Sequence, residues 1–114
     1  MTDIHLDPEV LSTLEEVMED EYPMLLDTFL RDSETRLTEL RGTQDPELLL
    51  STAHSFKGSS SNMGATRLAE LCNELEQRAK QKSLAGIEKL VGEIDGEFAI
   101  VRRLYREERQ RFHC

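Results

Sequence analysis

His54 stands in the segment STAHSFKGSSSNMG, followed by Lys57 three residues later and by Gly58 four residues later. A neutral imidazole is a competent nucleophile near pH 7, because its unperturbed pKa is about 6.5. Its attack on a phosphoryl group would give a phosphohistidine, a covalent intermediate that passes the group onward. Because phosphoryl transfer depends on positioning and on neutralising oxygen charge, a nearby ammonium group suits this chemistry.

The chemistry requires a scaffold that holds His54 in place, so the structure of the Ser-rich segment matters. Ser, Gly and Asn are weaker helix formers than Ala, which would favour a loop. A loop here would need about 20 irregular residues inside a compact domain, which is rare. The residues expected to face the core instead recur at helical intervals of four, three, four and three: Leu49, Ala53, Phe56, Ser60 and Met63. We therefore predict a helix from Pro46 to about Met63, capped by Asp45.

On this helix His54 points away from the core. Residues three, four and seven positions away share its face. Gly58 removes a side chain beside the imidazole and leaves room for the surface of a large partner. Leu50 would add an apolar spot to a face that is otherwise solvated. We predict that His54 is accessible to a partner protein and that the surrounding face contributes to binding, through Leu50, Ser51 and Ser61.

The rest of the chain predicts four further helices. Asp7 and Pro8 begin a short first helix, whose predicted apolar stripe is Val10, Leu11, Leu14, Val17 and Met18. A second helix ends near Gly42, another extends from Ala65 to about Lys82, and the stripe of the last one starts at Leu84. Short connections favour antiparallel neighbours. We predict an all-α fold, an antiparallel four-helix bundle with a short extra N-terminal helix lying across it, in a single domain of residues 1–114.

Composition and charge exclude several classes of function. The formal net charge of −9 argues against a nucleic-acid partner. Residues 1–47 are acidic, whereas RRLYREERQR is basic and is interpreted as a solvated helix end. No apolar run approaches the roughly 20 residues needed to span a bilayer, and no signal peptide is visible. We expect a cytoplasmic protein that does not bind membranes. Of the two cysteines, Cys72 is expected to pack as a small hydrophobic residue, and Cys114 is expected to be frayed at the end of the chain.

The sequence also lacks the motifs of a self-sufficient phosphotransfer enzyme. There is no GxxxxGK[ST] and no glycine-rich nucleotide loop, so we predict a phosphotransfer intermediate without its own ATP or metal site. A partner must then bring Mg²⁺ and the donor or acceptor group. Helical bundles can hold di-iron sites through Glu-x-x-His motifs, but none of His5, His54 and His113 has a Glu three residues before it.

The segment AHSFKGSSSNMGATRLAELCNELE resembles the signature of histidine-containing phosphotransfer (HPt) domains of multistep two-component signalling. The shared pattern is A-H-x-x-K-G, a run of small residues, a Gly ten residues after the His, and L-x-x-L-x-x-x-L-E. It is matched by Ala53, His54, Lys57, Gly58, Gly64, Leu68, Leu71, Leu75 and Glu76. The resemblance implies that His54 is phosphorylated, that Lys57 neutralises phosphoryl charge, and that Gly58 permits docking of a receiver domain.

The resemblance further implies a free-standing, monomeric HPt protein of a bacterial phosphorelay, with no cofactor of its own. It would relay a phosphoryl group between aspartates of receiver domains, from hybrid histidine kinases to response regulators, and the receiver would supply Mg²⁺. Some family members have Gln where Glu76 stands, placed to bond the active His, so Glu76 either orients His54 or faces solvent. Gly64 would let the chain turn between the two central helices. The alternative is a non-phosphorylated helical adaptor that binds receiver domains, against which His54, Lys57 and Gly58 argue.

Overall fold

In the computed structural model, which describes residues 5–112, the chain forms helices and, within those residues, no strand. Each of the four longer helices packs against two of the others, which closes a bundle. Among these four helices, the short connections make consecutive helices antiparallel, as predicted. A 3₁₀ turn, Glu19–Glu21, joins the first two helices. The helices are α1 (Pro8–Met18), α2 (Tyr22–Arg41), α3 (Pro46–Asn62), α4 (Thr66–Lys80) and α5 (Ile87–Gln110).

Both Asp-Pro signals begin helices. The Asp7 carboxylate accepts a hydrogen bond from the Glu9 amide at 3.0 Å, and the Asp45 carboxylate accepts one from the Glu47 amide at 3.1 Å. A proline follows each cap at the first helical position, where its missing N–H has no partner to lose. The second of these caps fixes where α3 begins, and the apolar stripe of α3 then decides which of its residues face outward.

The predicted core stripe of α3 is confirmed, and it includes the fully buried Ser60. The stripe of α1 is partly wrong, because Val17 is 72% exposed. Leu11 is the buried residue of that helix, and Leu14 and Met18 pack beside it. Val17 lies six residues after Leu11, about 120° around the helix, and so faces away from the bundle. Cys72 is buried as predicted, whereas Cys114 lies outside the described residues.

The last helix begins three residues later than the start of its predicted stripe. Gly86 has a φ of +78°, a left-handed conformation that favours glycine, and α5 starts at the next residue. Leu84 precedes the helix and packs against the core from the connecting segment. The residues of the predicted stripe therefore pack against the core as expected, and the first of them, Leu84, does so from outside the helix.

Gly64 connects the α3–α4 turn to the start of α1. Its φ is +79°, and its carbonyl accepts a 2.8 Å hydrogen bond from the Asp7 amide. A Cβ at this position would lie 3.0 Å from Cβ of Val10. Gly64 therefore permits the turn, as expected, and also the close approach of α1. The Tyr105 hydroxyl donates to the carbonyl of Met63 and holds the same turn against α5.

The basic end of α5 is paired with the acidic helices. Arg102 lies 3.1 Å from Glu34, and Arg109 lies 3.0 Å from Asp27. These exposed pairs contribute little stability individually. They nevertheless place cations of α5 beside carboxylates of α2, within the acidic first part of the sequence. Within residues 5–112, no helix is both long and apolar enough to cross a membrane.

Candidate functional site

His54 lies on the exposed face of α3 and contacts a residue of the neighbouring helix α4. Its side chain is 69% exposed, and Nδ1 is 3.0 Å from Oε2 of Glu76. An ionised carboxylate can only accept a hydrogen bond, so Nδ1 is the donor. Nε2 then carries the lone pair of the ring. The contact therefore selects the tautomer in which Nε2 is the nucleophile.

Glu76 is a buried carboxylate with a cation against it. Only 5% of its side chain is exposed, and its Oε1 lies 2.7 Å from Nζ of Lys57. Lys57 lowers the pKa of Glu76, and the bond with His54 lowers it further, whereas burial acts in the opposite direction. A buried charge of this kind is tolerated because it is paired. Glu76 is therefore ionised at neutral pH and reaches His54 as an anion.

A second lysine lies on the other side of the same carboxylate. Nζ of Lys80 is 3.8 Å from Oε2 of Glu76, the oxygen that also accepts from His54. Lys57 follows His54 by one turn of α3, and Lys80 follows Glu76 by one turn of the antiparallel α4. The two ammonium groups therefore lie on opposite sides of the His54–Glu76 pair. Asn73 supports the first lysine, with its Oδ1 3.5 Å from Nζ of Lys57.

Lys80 and Asn73 were not among the residues selected from the sequence. The signal for Lys80 was the spacing of four residues from Glu76, which places oppositely charged side chains together on a helix. That spacing was uninformative alone, because most such pairs are solvated surface pairs. The spacing matters here because the structure places His54 and Lys57 against the same Glu76 carboxylate.

Gly58 lies one turn after His54 on the exposed face of α3. A Cβ built at this position would meet no atom within 4 Å. Packing within the described chain therefore gives no reason for a glycine here, although glycine costs a helix interior about 1 kcal/mol relative to Ala. The cost is consistent with a requirement from outside the chain, such as the close approach of another protein.

The other predicted contact residues differ in exposure. Ser51 and Ser61 are exposed on the face of His54, and the Ser51 hydroxyl donates to the carbonyl of Leu48 at 3.2 Å. Leu50 is only half exposed, because it packs against the core as well. The predicted apolar spot is thus the edge of a core residue. It provides less free apolar surface than the sequence suggested.

A polar groove of about 620 Å³ continues from the site toward α1. Lys57 and Asn73 line the groove where it meets the site, and Ser61 and Gly64 line it toward the α3–α4 turn. A separate cavity of about 720 Å³ lies between the α2–α3 connection and the first turns of α5.

Within the described residues, no group of three or more His, Cys, Asp and Glu side chains could hold a metal ion. His113 lies outside them.

Comparisons with known proteins agree with this geometry. The profile of the Hpt domain matches residues 24–104. Phosphorelay protein LuxU from Vibrio harveyi is 31% identical over 86 residues, which span 73% of this chain and 75% of that protein. Both matches include the α3–α4 segment that carries the site.

Solved structures show the same bundle. The crystal structure of histidine-containing phosphotransfer protein B (HptB) from Pseudomonas aeruginosa PAO1 has a TM-score of 0.94 and 54% identity, covering 96% of this chain and 97% of that one. A rice protein described as a candidate histidine-containing phosphotransfer protein shares the fold at 18% identity. Its TM-score is 0.81, and the match covers 93% of this chain and 82% of the rice chain. The chain therefore belongs to the Hpt domain family.

Proposed function

We propose that the chain is a phosphohistidine carrier of a phosphorelay and that His54 accepts the phosphoryl group at Nε2. The observation that carries this proposal is the contact between Nδ1 of His54 and the buried carboxylate of Glu76, which leaves Nε2 as the nucleophile on an exposed ring. Membership of the Hpt domain family and the likeness to a phosphorelay protein and to HptB support the same role.

The transfer reaction needs little from the chain beyond a positioned nucleophile and positive charge. The Nε2 lone pair attacks phosphorus of an aspartyl phosphate on a receiver domain, and the N–P bond forms. The bond from phosphorus to the aspartate oxygen breaks, and its electron pair leaves with the aspartate carboxylate. The reverse sequence passes the group to the next receiver. The receiver supplies the aspartate and Mg²⁺, while Lys57 offsets phosphoryl charge.

The partners we propose are receiver domains of hybrid histidine kinases and of response regulators. Gly58 would allow the receiver backbone close to His54, and the small side chains of Ser51 and Ser61 would keep the surrounding face flat. The half-buried Leu50 would contribute an apolar edge to this face. We further propose that the protein works as a cytoplasmic monomer with no cofactor of its own, and that it carries the phosphoryl group rather than catalysing turnover.

Incubation with a receiver domain carrying a labelled aspartyl phosphate tests the proposal. We expect acid-labile label on the wild-type chain and none on His54→Gln, which retains the size of the side chain and loses the nucleophile. Label on both proteins would place the phosphorylated residue elsewhere. Binding of the receiver with no label on the wild type would favour a non-phosphorylated adaptor.

A further inference from the structure

The cavity of about 720 Å³ between the α2–α3 connection and the first turns of α5 plays no part in the proposed phosphotransfer. Its volume lies in the range of sites that bind small molecules. His54, Lys57, Gly58 and Glu76 are not among the residues that line it. Along α3, His54 lies about 14 Å beyond the capping residue Asp45. A ligand in the cavity therefore leaves the face of His54 free for another protein.

Aliphatic side chains from four segments form the apolar part of the cavity wall: Leu40 of α2, Leu49 of α3, Leu84 of the α4–α5 connection, and Ile87 and Val91 of α5. Leu84 is partly exposed, whereas the others are at most 8% exposed and belong to the core. The cavity therefore opens onto the edge of the hydrophobic core. An apolar ligand body placed here would be removed from water and would cover these side chains, which favours binding.

Arg41 supplies the polar contact that selects the ligand. Its Nη2 donates to Oδ1 of Asp95, which also lines the cavity. A guanidinium has five N–H donors, and within residues 5–112 the remaining donors of Arg41 meet no acceptor. Their fork matches a carboxylate, which can accept two parallel bonds. The other charged residues of the lining, Glu88 and Lys89, have opposite signs, and the start of α5 places the positive end of a helix beside them.

We propose that this cavity is a binding site for a small amphipathic carboxylate, such as a short aliphatic acid or a monocyclic acid. The apolar body of the ligand lies against the aliphatic wall, and its carboxylate accepts hydrogen bonds from Arg41. The ligand also contacts the α2–α3 connection, in which the hydroxyl of Thr43 accepts a 3.0 Å hydrogen bond from the amide of Asp45. Because Asp45 caps α3, the ligand is held next to the start of the helix that carries His54 and away from the phosphotransfer site.

NMR titration of the isotopically labelled chain with cyclohexanecarboxylate tests the proposal. Cyclohexylmethanol and cyclohexylmethylamine carry the same ring with a neutral and a cationic group. We expect saturable shifts of the backbone amides of Gly42, Thr43 and Gly86 at millimolar concentrations or below, with the tightest binding by the carboxylate. Because the Arg41 side chain is half exposed, we expect the alcohol to bind only about threefold to fivefold more weakly.

Arg41→Gln removes the guanidinium and keeps the aliphatic wall, so it should bind the carboxylate and the alcohol equally. Arg102→Gln is the matched control, because Arg102 also joins α5 to α2, through Glu34 at 3.1 Å, but does not line this cavity. It should show the wild-type preference for the carboxylate. Leu84→Ser changes a residue outside the helices and should weaken the binding of all three probes.

Labelling of His54 by phosphoramidate, a small phosphoryl donor, shows whether the two sites are separate. We expect the same rate with and without saturating cyclohexanecarboxylate, and His54→Gln should bind the carboxylate with wild-type affinity. A rate that falls as the carboxylate is added, with shifts centred on His54, would place the binding at the phosphotransfer site and overturn the proposal. The absence of saturable shifts at the cavity would also overturn it, as would wild-type binding of the alcohol or the amine as tight as that of the carboxylate.

Discussion

Lys57 and His54 contact opposite oxygens of one buried carboxylate: Nζ of Lys57 lies 2.7 Å from Oε1 of Glu76, and Nδ1 of His54 lies 3.0 Å from Oε2. The lysine therefore has two possible partners during the reaction. In the unphosphorylated protein it neutralises Glu76. Once a phosphoryl group is bound at Nε2, the ammonium group can be shared between the carboxylate and the phosphoryl oxygens.

The first prediction follows from this double role. Lys57→Ala is expected to slow phosphotransfer about tenfold, equivalent to about 1.4 kcal/mol of transition-state stabilisation, without abolishing it. Transfer persists because Lys80 still places positive charge beside Glu76. Rapid-quench kinetics with a phospho-receiver measure the rate. Lys89→Ala removes an exposed lysine of α5 and should leave it unchanged. A wild-type rate in Lys57→Ala would remove Lys57 from the mechanism.

The second prediction concerns stability at low pH. The pKa of Glu76 is lowered in the folded protein, chiefly by Lys57, whereas a Glu in the unfolded chain titrates at about 4.3. The unfolded state therefore binds more protons between these two pKa values. The stability contributed by the carboxylate is fully present above about pH 4.3 and is lost as the pH falls through the folded pKa.

Urea unfolding at a series of acidic pH values measures this contribution. We expect the free energy of unfolding of the wild type to fall more steeply than that of Glu76→Gln below about pH 4.3, by no more than about 1.4 kcal/mol per pH unit for one group. Glu70→Gln should follow the wild type. Equal slopes for wild type and Glu76→Gln would mean that the pairing with Lys57 does not stabilise the fold.

The third prediction concerns the connection between α1 and the bundle. Gly64→Ala forces an alanine into a left-handed conformation and places its Cβ 3.0 Å from Cβ of Val10. We expect a loss of about 1–3 kcal/mol in the free energy of unfolding, measured in urea. Gly96→Ala, at an exposed helical position with open space around it, should be neutral or slightly stabilising. Equal stability of the two variants would contradict the role assigned to Gly64.

The sequence predicted the helices of the scaffold better than the contacts between the side chains of the site. The Asp-Pro caps and the apolar stripes placed α3 and the outward direction of His54, because both signals are local. The two possible positions of Glu76 were left open, since a Glu next to the buried Leu75 is ordinarily a surface residue. Its burial is stabilised by Lys57 from another helix, together with Lys80. Such pairing across helices has no sequence period, so only the packed structure reveals it.

The last prediction tests whether Gly58 serves a partner or the fold. Gly58→Gln places a long side chain one turn from His54, where the receiver must approach within bonding distance. Since a Cβ at Gly58 meets no atom within 4 Å, we expect the bundle to fold with unchanged or slightly higher stability. We expect transfer from a phospho-receiver to fall at least about 100-fold, equivalent to about 2.7 kcal/mol, because the obstructed complex cannot align the reacting atoms.

Two controls separate obstruction from a defect in the nucleophile. Gly92→Gln makes the same substitution on an exposed turn of α5, also with no atom within 4 Å, and should transfer at the wild-type rate. Phosphoramidate is small enough to reach His54 past the new side chain, so Gly58→Gln should be labelled by it as fast as the wild type. Slow labelling by both donors would mean that the substitution disturbs His54 itself, and normal transfer from the receiver would show that Gly58 is not needed for docking.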